Sequence, residues 1–474
     1  MSDPRDDVDA WLHEEVEPLG PPPGTFERIR KQARRRRARR VLASAASAGV
    51  AAAVIALAFV ALPRVVPTVL HLRSNAASDT SAARPVRSSP TPTASHAATS
   101  AAPTPDATAS HLVPAGPPPV PVNFAATSVT FIGLHTGWVI GQAGIPGQCA
   151  TRYCTSVART DDAGKTWFGA PAPHAGPPAA GTGVSQIRFL DDRDGWAFGP
   201  ALWATHDGGQ HWAQVRLPGL RVLSLETTGS QAFAVLARCT GTGAGFAAGC
   251  TKFWLYSSAA GSDHWGRVPG TASASVQAGS AGSATVVLTG TQGYWYTPDG
   301  LLSGPVTPGA PWAAAGTSAP PCLPGAAGQG GGLLAASGPG HLALACPGTS
   351  QSGTGQSGQS GQSGTGQPMT IYVSPDGGQN WHQQGSLTVD GTATSLAAST
   401  GGVMALATSH RIEASSDGGA TWRPVQHGPA GGFSYVGLTS PTQGVAVPAD
   451  ASHQAVWFTF NGGQAWTRSP IKGG

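Results

Sequence analysis

Charge is scarce in this 474-residue chain, at 11% of residues, and glutamate is scarcer still, with only Glu226 and Glu413 beyond residue 122. So little charge excludes a coiled coil or a helix-rich enzyme, whose solvent faces are built from Glu, Lys and Arg. Cysteine is missing from the first 148 residues, so a zinc-binding anti-sigma domain is not expected in residues 1–40. Ten histidines follow residue 122, yet none falls in an HExxH or another metal-ligand spacing. No glycine-rich segment follows a strand and opens a helix, so a phosphate cradle is also missing. Neither a metal nor a cofactor is expected. Residues 123–474 hold 14 Lys/Arg against 14 Asp/Glu, a balance that argues against a nucleic-acid-binding domain there. What is abundant is Gly (66) and Pro (41), the mark of many short strands joined by turns.

The N-terminal quarter reads as an address and a stalk. Residues 1–27 carry eight acids, and Arg28 to Arg40 contains nine Arg or Lys. Residues 41–62, Val41 to Leu62, then carry no charge. At about 1.5 Å per residue that stretch suits the roughly 30 Å core of a bilayer. The basic cluster before it keeps residues 1–40 in the cytoplasm and sends the rest outward. A cleaved signal peptide is the competing reading, but the lead and the apolar stretch are both too long for one. The expectation is therefore a single-pass signal anchor in the cell membrane. Residues 63–122 are rich in Ala, Ser, Thr and Pro and bury too little to fold, so they are expected as an extracytoplasmic linker.

From residue 123 a turn recurs with the pattern Ser/Thr-x-Asp-x-Gly-x-x-Trp. Its copies centre on Asp162, Gly164 and Trp167; Asp207, Gly209 and Trp212; Asp376, Gly378 and Trp381; Asp417, Gly419 and Trp422; and Asn461, Gly463 and Trp466. A side-chain oxygen at the Asp position can close the turn on nearby backbone N–H groups. The Gly supplies positive φ, and the Trp buries a large ring against a neighbouring sheet. Two degenerate copies fill the gaps. Ser257 to Trp265 lacks the Asp, and Thr297-Pro298-Asp299-Gly300 lacks the Trp. Upstream of the turns lie β-type runs such as Gly137-Trp138-Val139-Ile140-Gly141 and Gly195-Trp196-Ala197-Phe198-Gly199. Seven units at intervals of roughly 40–50 residues, one lengthened by the Ser/Gly/Gln tract 349–367, predict an all-β, seven-bladed β-propeller over 123–474.

These motifs resemble the BNR or Asp-box repeats of sialidases, sortilin-type receptors and propeller-type photosystem II assembly factors. The set Phe189, Gly195-Trp196, Gly199, Thr205-His206-Asp207-Gly208-Gly209 and Trp212 looks most like the assembly-factor branch and its bacterial relatives. The resemblance implies the propeller fold and makes the boxes peripheral structural turns. A sialidase would also need an arginine triad, a Tyr/Glu nucleophile pair and an acidic Asp. The Arg-Ile-Pro motif of that family is missing near Val122-Asn123-Phe124-Ala125. Outside the boxes the one tight acidic cluster is Asp191, Asp192 and Asp194, which is expected as a solvated turn.

The six cysteines form three close pairs, Cys149/Cys154, Cys239/Cys250 and Cys322/Cys346, expected as disulfides in an oxidising compartment. Three function classes stand. The first is a monomeric binding or scaffolding module for a protein or glycan. The second is a sensor that couples the propeller to a cytoplasmic regulator through residues 1–40. The third is a glycoside hydrolase. The first is the expectation, with no catalysis and no nucleic-acid partner.

Overall fold

A computed structural model of the chain describes residues 117–144, 154–178, 182–240, 249–276, 282–324, 331–348 and 366–472. Residues 1–40, expected as the cytoplasmic segment, and the apolar stretch 41–62 lie outside the described residues, as do the expected linker to residue 116, Cys149 and residues 349–365 of the polar insert. Among the described residues no helix is long and apolar enough to cross a membrane.

The described chain folds into seven antiparallel sheets, each made of strands consecutive in sequence. Six sheets have four strands and one has five. In chain order the blades span residues 125–170, 186–215, 221–275, 285–314, 333–389, 393–427 and 433–470. The first strands of successive blades touch one another around the ring, and blade 1 packs on blade 7, so the seven-bladed propeller is closed.

Burial varies from strand to strand within a blade. Second strands such as Gly195–Phe198, Met404–Thr408 and Gly444–Pro448 are buried along their whole length. They lie mid-blade with a neighbouring blade on each face, which accounts for continuous apolar runs in place of alternation. Outermost strands such as Ala213–Val215 and Thr467–Pro470 are mostly exposed.

Among the described residues there is no single central core. Buried apolar side chains gather in seven clusters, and each cluster lies between two adjacent blades. Between blades 1 and 2, for example, Trp138 stacks on Phe189 with ring centroids 3.9 Å apart. Among the described residues no strand is exchanged between blades 1 and 7, and side chains close the ring. Phe124, Val129 and Trp167 meet Val445, Phe458 and Ile471 there. Trp167 Nε1 donates to Ser469 Oγ at 3.1 Å, and Gln443 Nε2 donates to the Leu134 carbonyl at 2.8 Å.

The end of the expected linker belongs to this fold. Val120 is buried, and Gly169 N donates to the Pro118 carbonyl at 2.7 Å, so residues 118–122 lie along blade 1. At the other expected boundary, Gln367, placed in the polar insert, begins the third strand of blade 5, Gln367–Ser374. Disulfides join Cys239 to Cys250 and Cys322 to Cys346. Cys154 is also disulfide-bonded. Cys239–Cys250 ties the second and third strands of blade 3. Cys322, by contrast, lies in the connection between blades 4 and 5 and tethers it to the second strand of blade 5.

The ring of wedges makes each interface tryptophan costly to remove. Trp312, 1% exposed, fills the gap between blades 3 and 4 beside Phe233. Trp312→Ala is expected to cost about 3–5 kcal/mol, the usual range for a buried Trp or Phe truncated to Ala. Urea unfolding of wild type and variant measures it.

Candidate functional site: the turn face and the axial channel

The five complete turns share one hydrogen-bond pattern. In blade 6, Ser415 Oγ donates to Asp417 Oδ1 at 2.8 Å and accepts the N–H of Gly419 at 2.9 Å. Asp417 Oδ1 also accepts the N–H of Thr421 at 2.9 Å, and Oδ2 takes the Thr421 hydroxyl at 2.6 Å. Thr160/Asp162/Thr166, Thr205/Asp207/His211 and Ser374/Asp376/Asn380 repeat these contacts. The carboxylate thus reaches the amide four residues on. In the last copy Asn461 Oδ1 accepts the Thr459 hydroxyl and the Ala465 N–H, so an amide serves the same turn.

Two consecutive residues in each turn take positive φ, as Gly418 (74°) and Gly419 (92°) do. A Cβ on Gly419 would lie 2.9 Å from Ile371 of the preceding blade, so glycine is required there by both backbone and space. In blade 1 the first of the two positions is Ala163, at φ 63°.

The turns face the first hairpin of their own blade. The amide just after the acidic position donates to a carbonyl in the loop between the first and second strands. These bonds are Ala163 to His135, Gly208 to Arg193, Gly377 to Gly340, Gly418 to Gly402 and Gly462 to Thr442, at 2.7–2.9 Å. Blade 3 keeps this bond without the Asp, from Ala260 to Ser230 at 2.9 Å.

Each turn's Trp packs on the preceding blade. Trp167, Trp212, Trp381, Trp422 and Trp466 join the clusters with blades 7, 1, 4, 5 and 6, and Trp265 joins that with blade 2. Blade 4 differs from the sequence reading. Thr297-Pro298-Asp299-Gly300 joins the second and third strands of its blade, whereas the complete copies join the third and fourth. The ring of this blade has not been lost but is Trp312, and the surviving signal is Gly309-x-x-Trp312, which keeps the glycine–tryptophan offset of the other copies.

The turn hydrogen bonds hold the carboxylates well below their ordinary value. The backbone N–H and side chain of His211 bring Asp207 to about 2, and those of Asn380 do the same for Asp376. The Thr421 hydroxyl and N–H hold Asp417 at about 2. For Asp162, partial burial works upward but is outweighed by the bonds from Thr166 and Thr160, and the net direction is down.

The axis holds a different constellation. Two adjoining cavities, of about 440 and about 590 Å3, are lined by the first strands and share Arg188, Glu226 and Tyr435. Arg188 Nε lies 3.1 and 3.2 Å from the two oxygens of Glu226, and its Nη2 lies 3.0 Å from Oε1. Its Nη1 donates to the Ile187 carbonyl at 2.8 Å, and the guanidinium sits 5.6 Å from the Tyr435 ring centroid. Burial alone would lower the Arg188 pKa, but Glu226 outweighs it and the guanidinium stays charged. Burial pushes the Tyr435 hydroxyl up. Blades 2, 3 and 7 are thereby linked across the channel. Arg188 and Tyr435 were not singled out from sequence; a lone arginine in the first strand of blade 2 was the available signal.

The other carboxylates do not converge on this channel. Asp191 Oδ1 accepts the N–H groups of Arg193 and Asp194 within its turn. Asp194 meets His206 Nδ1 at 2.6 Å, and His206 Nε2 lies 3.3 Å from Asp263, so the histidine bridges blades 2 and 3. Burial works to lower the His206 pKa, but the two aspartates outweigh it and the net shift is upward. Glu413 is buried and takes Arg411 Nε at 2.6 Å. Among the described residues no group of three His, Cys, Asp or Glu could hold a metal ion.

No family profile and no curated protein matches the chain. Solved structures do match in fold. YCF48 from Cyanidioschyzon merolae is 17% identical, with a TM-score of 0.45, covering 72% of this chain and 98% of its own. YCF48 bound to D1 peptide is 18% identical, with a TM-score of 0.43, covering 72% and 96%. The α-L-arabinofuranosidase Arb93A from Fusarium graminearum is 13% identical, with a TM-score of 0.37, covering 74% and 96%.

The depressed carboxylates carry a pH dependence. Their unfolded value is 3.8 and the folded value about 2, so their stabilisation is complete above about pH 4 and is lost as pH falls towards 2. Because Asn461 already serves one turn, the triple variant Asp207→Asn/Asp376→Asn/Asp417→Asn is expected to fold. It should lose less stability than wild type between pH 4 and pH 2, as measured by thermal unfolding across that range.

Proposed function

We propose that the chain is a membrane-anchored, extracytoplasmic propeller that binds a protein partner and catalyses no reaction. In this reading residues 41–62 anchor the chain, the arginine-rich segment before them stays in the cytoplasm, and residues 63–117 hold the propeller away from the bilayer. The disulfides suit an oxidising compartment outside the cytoplasm.

The observation that carries the binding reading is the state of Glu226. It is the one carboxylate among the described residues lining the two axial cavities, and both its oxygens face Arg188. Hydrolysis of a glycosidic bond by paired carboxylates needs a second acid across the cleft. The Arg188–Glu226–Tyr435 set has one feature of a sialidase, a Tyr near a Glu, but a single arginine stands where that chemistry needs three. A rigid ring whose loops differ from blade to blade supports recognition.

Photo-crosslinking in the native cell, with the crosslinker placed on exposed propeller loops of the full-length protein, tests this. A defined protein adduct that survives Glu226→Gln is expected. Turnover of a glycoside that Glu226→Gln abolishes would overturn the reading.

A further inference from the structure

Blade 3 departs from the other six. Its second and third strands, Gln231–Cys239 and Cys250–Ala259, are the longest pair in the ring, and it carries the fifth strand. On these long strands three cations surround one indole. Arg238, Lys252 and Arg267 lie 5.7, 5.6 and 5.7 Å from the Trp254 ring centroid. All three are exposed, and Trp254 is half-buried.

Three adjacent strands supply the cations. Arg238 and Lys252 are directly opposite each other across the second and third strands, and Arg267 comes from the short fourth strand opposite Tyr256. Like charges directly opposite on a sheet repel. None of the three forms an ion pair with a described acid, and residues 240–249, which link the two long strands, contain no Asp or Glu. The Cys239–Cys250 disulfide lies beside the repelling pair and pins the two strands that carry it. A rigid, locally cationic spot is thus maintained on a domain that has as many acidic as basic residues.

We infer that this patch of blade 3 is a docking site for an acidic segment of a partner protein. The inference rests on the binding reading above and names the chemistry of the partner. The compactness of the patch decides between anionic partners. A phosphate polymer or an anionic lipid surface is held by an extended basic stripe making many contacts. Here three cations converge on one aromatic ring, and Trp with Arg is the composition of a protein-interface hot spot. Two or three closely spaced carboxylates would pair with Arg238, Lys252 and Arg267. The Trp254 Nε1–H, which has no partner in the described residues, remains as a donor for a backbone carbonyl of the same segment.

The test uses the full-length protein in detergent, labelled with 5-fluorotryptophan, and a decaglutamate peptide as probe. Trp254→Phe assigns the Trp254 fluorine resonance, which separates this site from the arginine-rich cytoplasmic segment. Decaglutamate is expected to shift that resonance saturably. The midpoint should rise about tenfold or more between about 50 and about 300 mM salt. Arg238→Ala/Arg267→Ala should abolish the shift without changing the unfolding transition. No shift, or a shift that persists in the double variant, overturns the proposal. So does a response to polyphosphate or phosphatidylglycerol vesicles at lower concentration than to decaglutamate. Cellular adducts elsewhere on the propeller that persist in the double variant, with no response to decaglutamate, would reject this site and leave the binding reading intact.

Discussion

One amide holds each blade's turn in place. The N–H that follows the acidic position donates to a carbonyl in the first hairpin of the same blade, in six of the seven blades. Blade 3 shows that this bond is the constant feature and the carboxylate an auxiliary, because Ala260 makes it where Ala259 stands in place of Asp. Blade 4 shows the same by substitution. Pro308, which would hold the donating position if Gly309 is aligned with the turn glycines, has no N–H. Val306 instead donates to Thr291 in the first hairpin. The docked turn then delivers its Trp to the preceding blade.

From that delivery follows a core divided into seven wedges. Each blade is stabilised by its neighbours on both sides, so a ring without strand exchange depends on the last wedge being as well filled as the rest. The wedge between blades 7 and 1 meets this with Phe124 and Trp167 on one side and Phe458 and Ile471 on the other. Val120 adds the entering chain to the same cluster. The axial channel contributes a polar tie between blades through Arg188 and Glu226, which also occupies the carboxylate that channel chemistry would need.

The fold was legible because its signal is repetitive. Five turns with the same glycine and tryptophan and an Asp or, once, an Asn at the capping position, each after two apolar runs, leave few architectures other than a propeller. Legibility failed where one element of the motif survives alone. Thr297-Pro298-Asp299-Gly300 has the right residues for a tight turn but joins a different pair of strands, whereas Gly309-x-x-Trp312 keeps only the offset. The axial constellation was hidden for another reason. Arg188, Glu226 and Tyr435 come from three blades, and no local pattern marks residues that meet only when the ring closes. The linker boundary was misplaced because Pro118 and Val120 have linker composition and acquire partners only from blades 1 and 7.

Amide hydrogen exchange in the intact protein tests the docking of the turns most directly. The amides to follow are those of Ala163, Gly208, Ala260, Gly377, Gly418 and Gly462. If the docked turns hold the ring, these six exchange slowly, at rates near those of the buried second strands around Val139 and Ala446. Exchange of the six at the rate of open loops, while the second strands stay protected, would show that the blades hold together without them and would contradict the central role given to this bond.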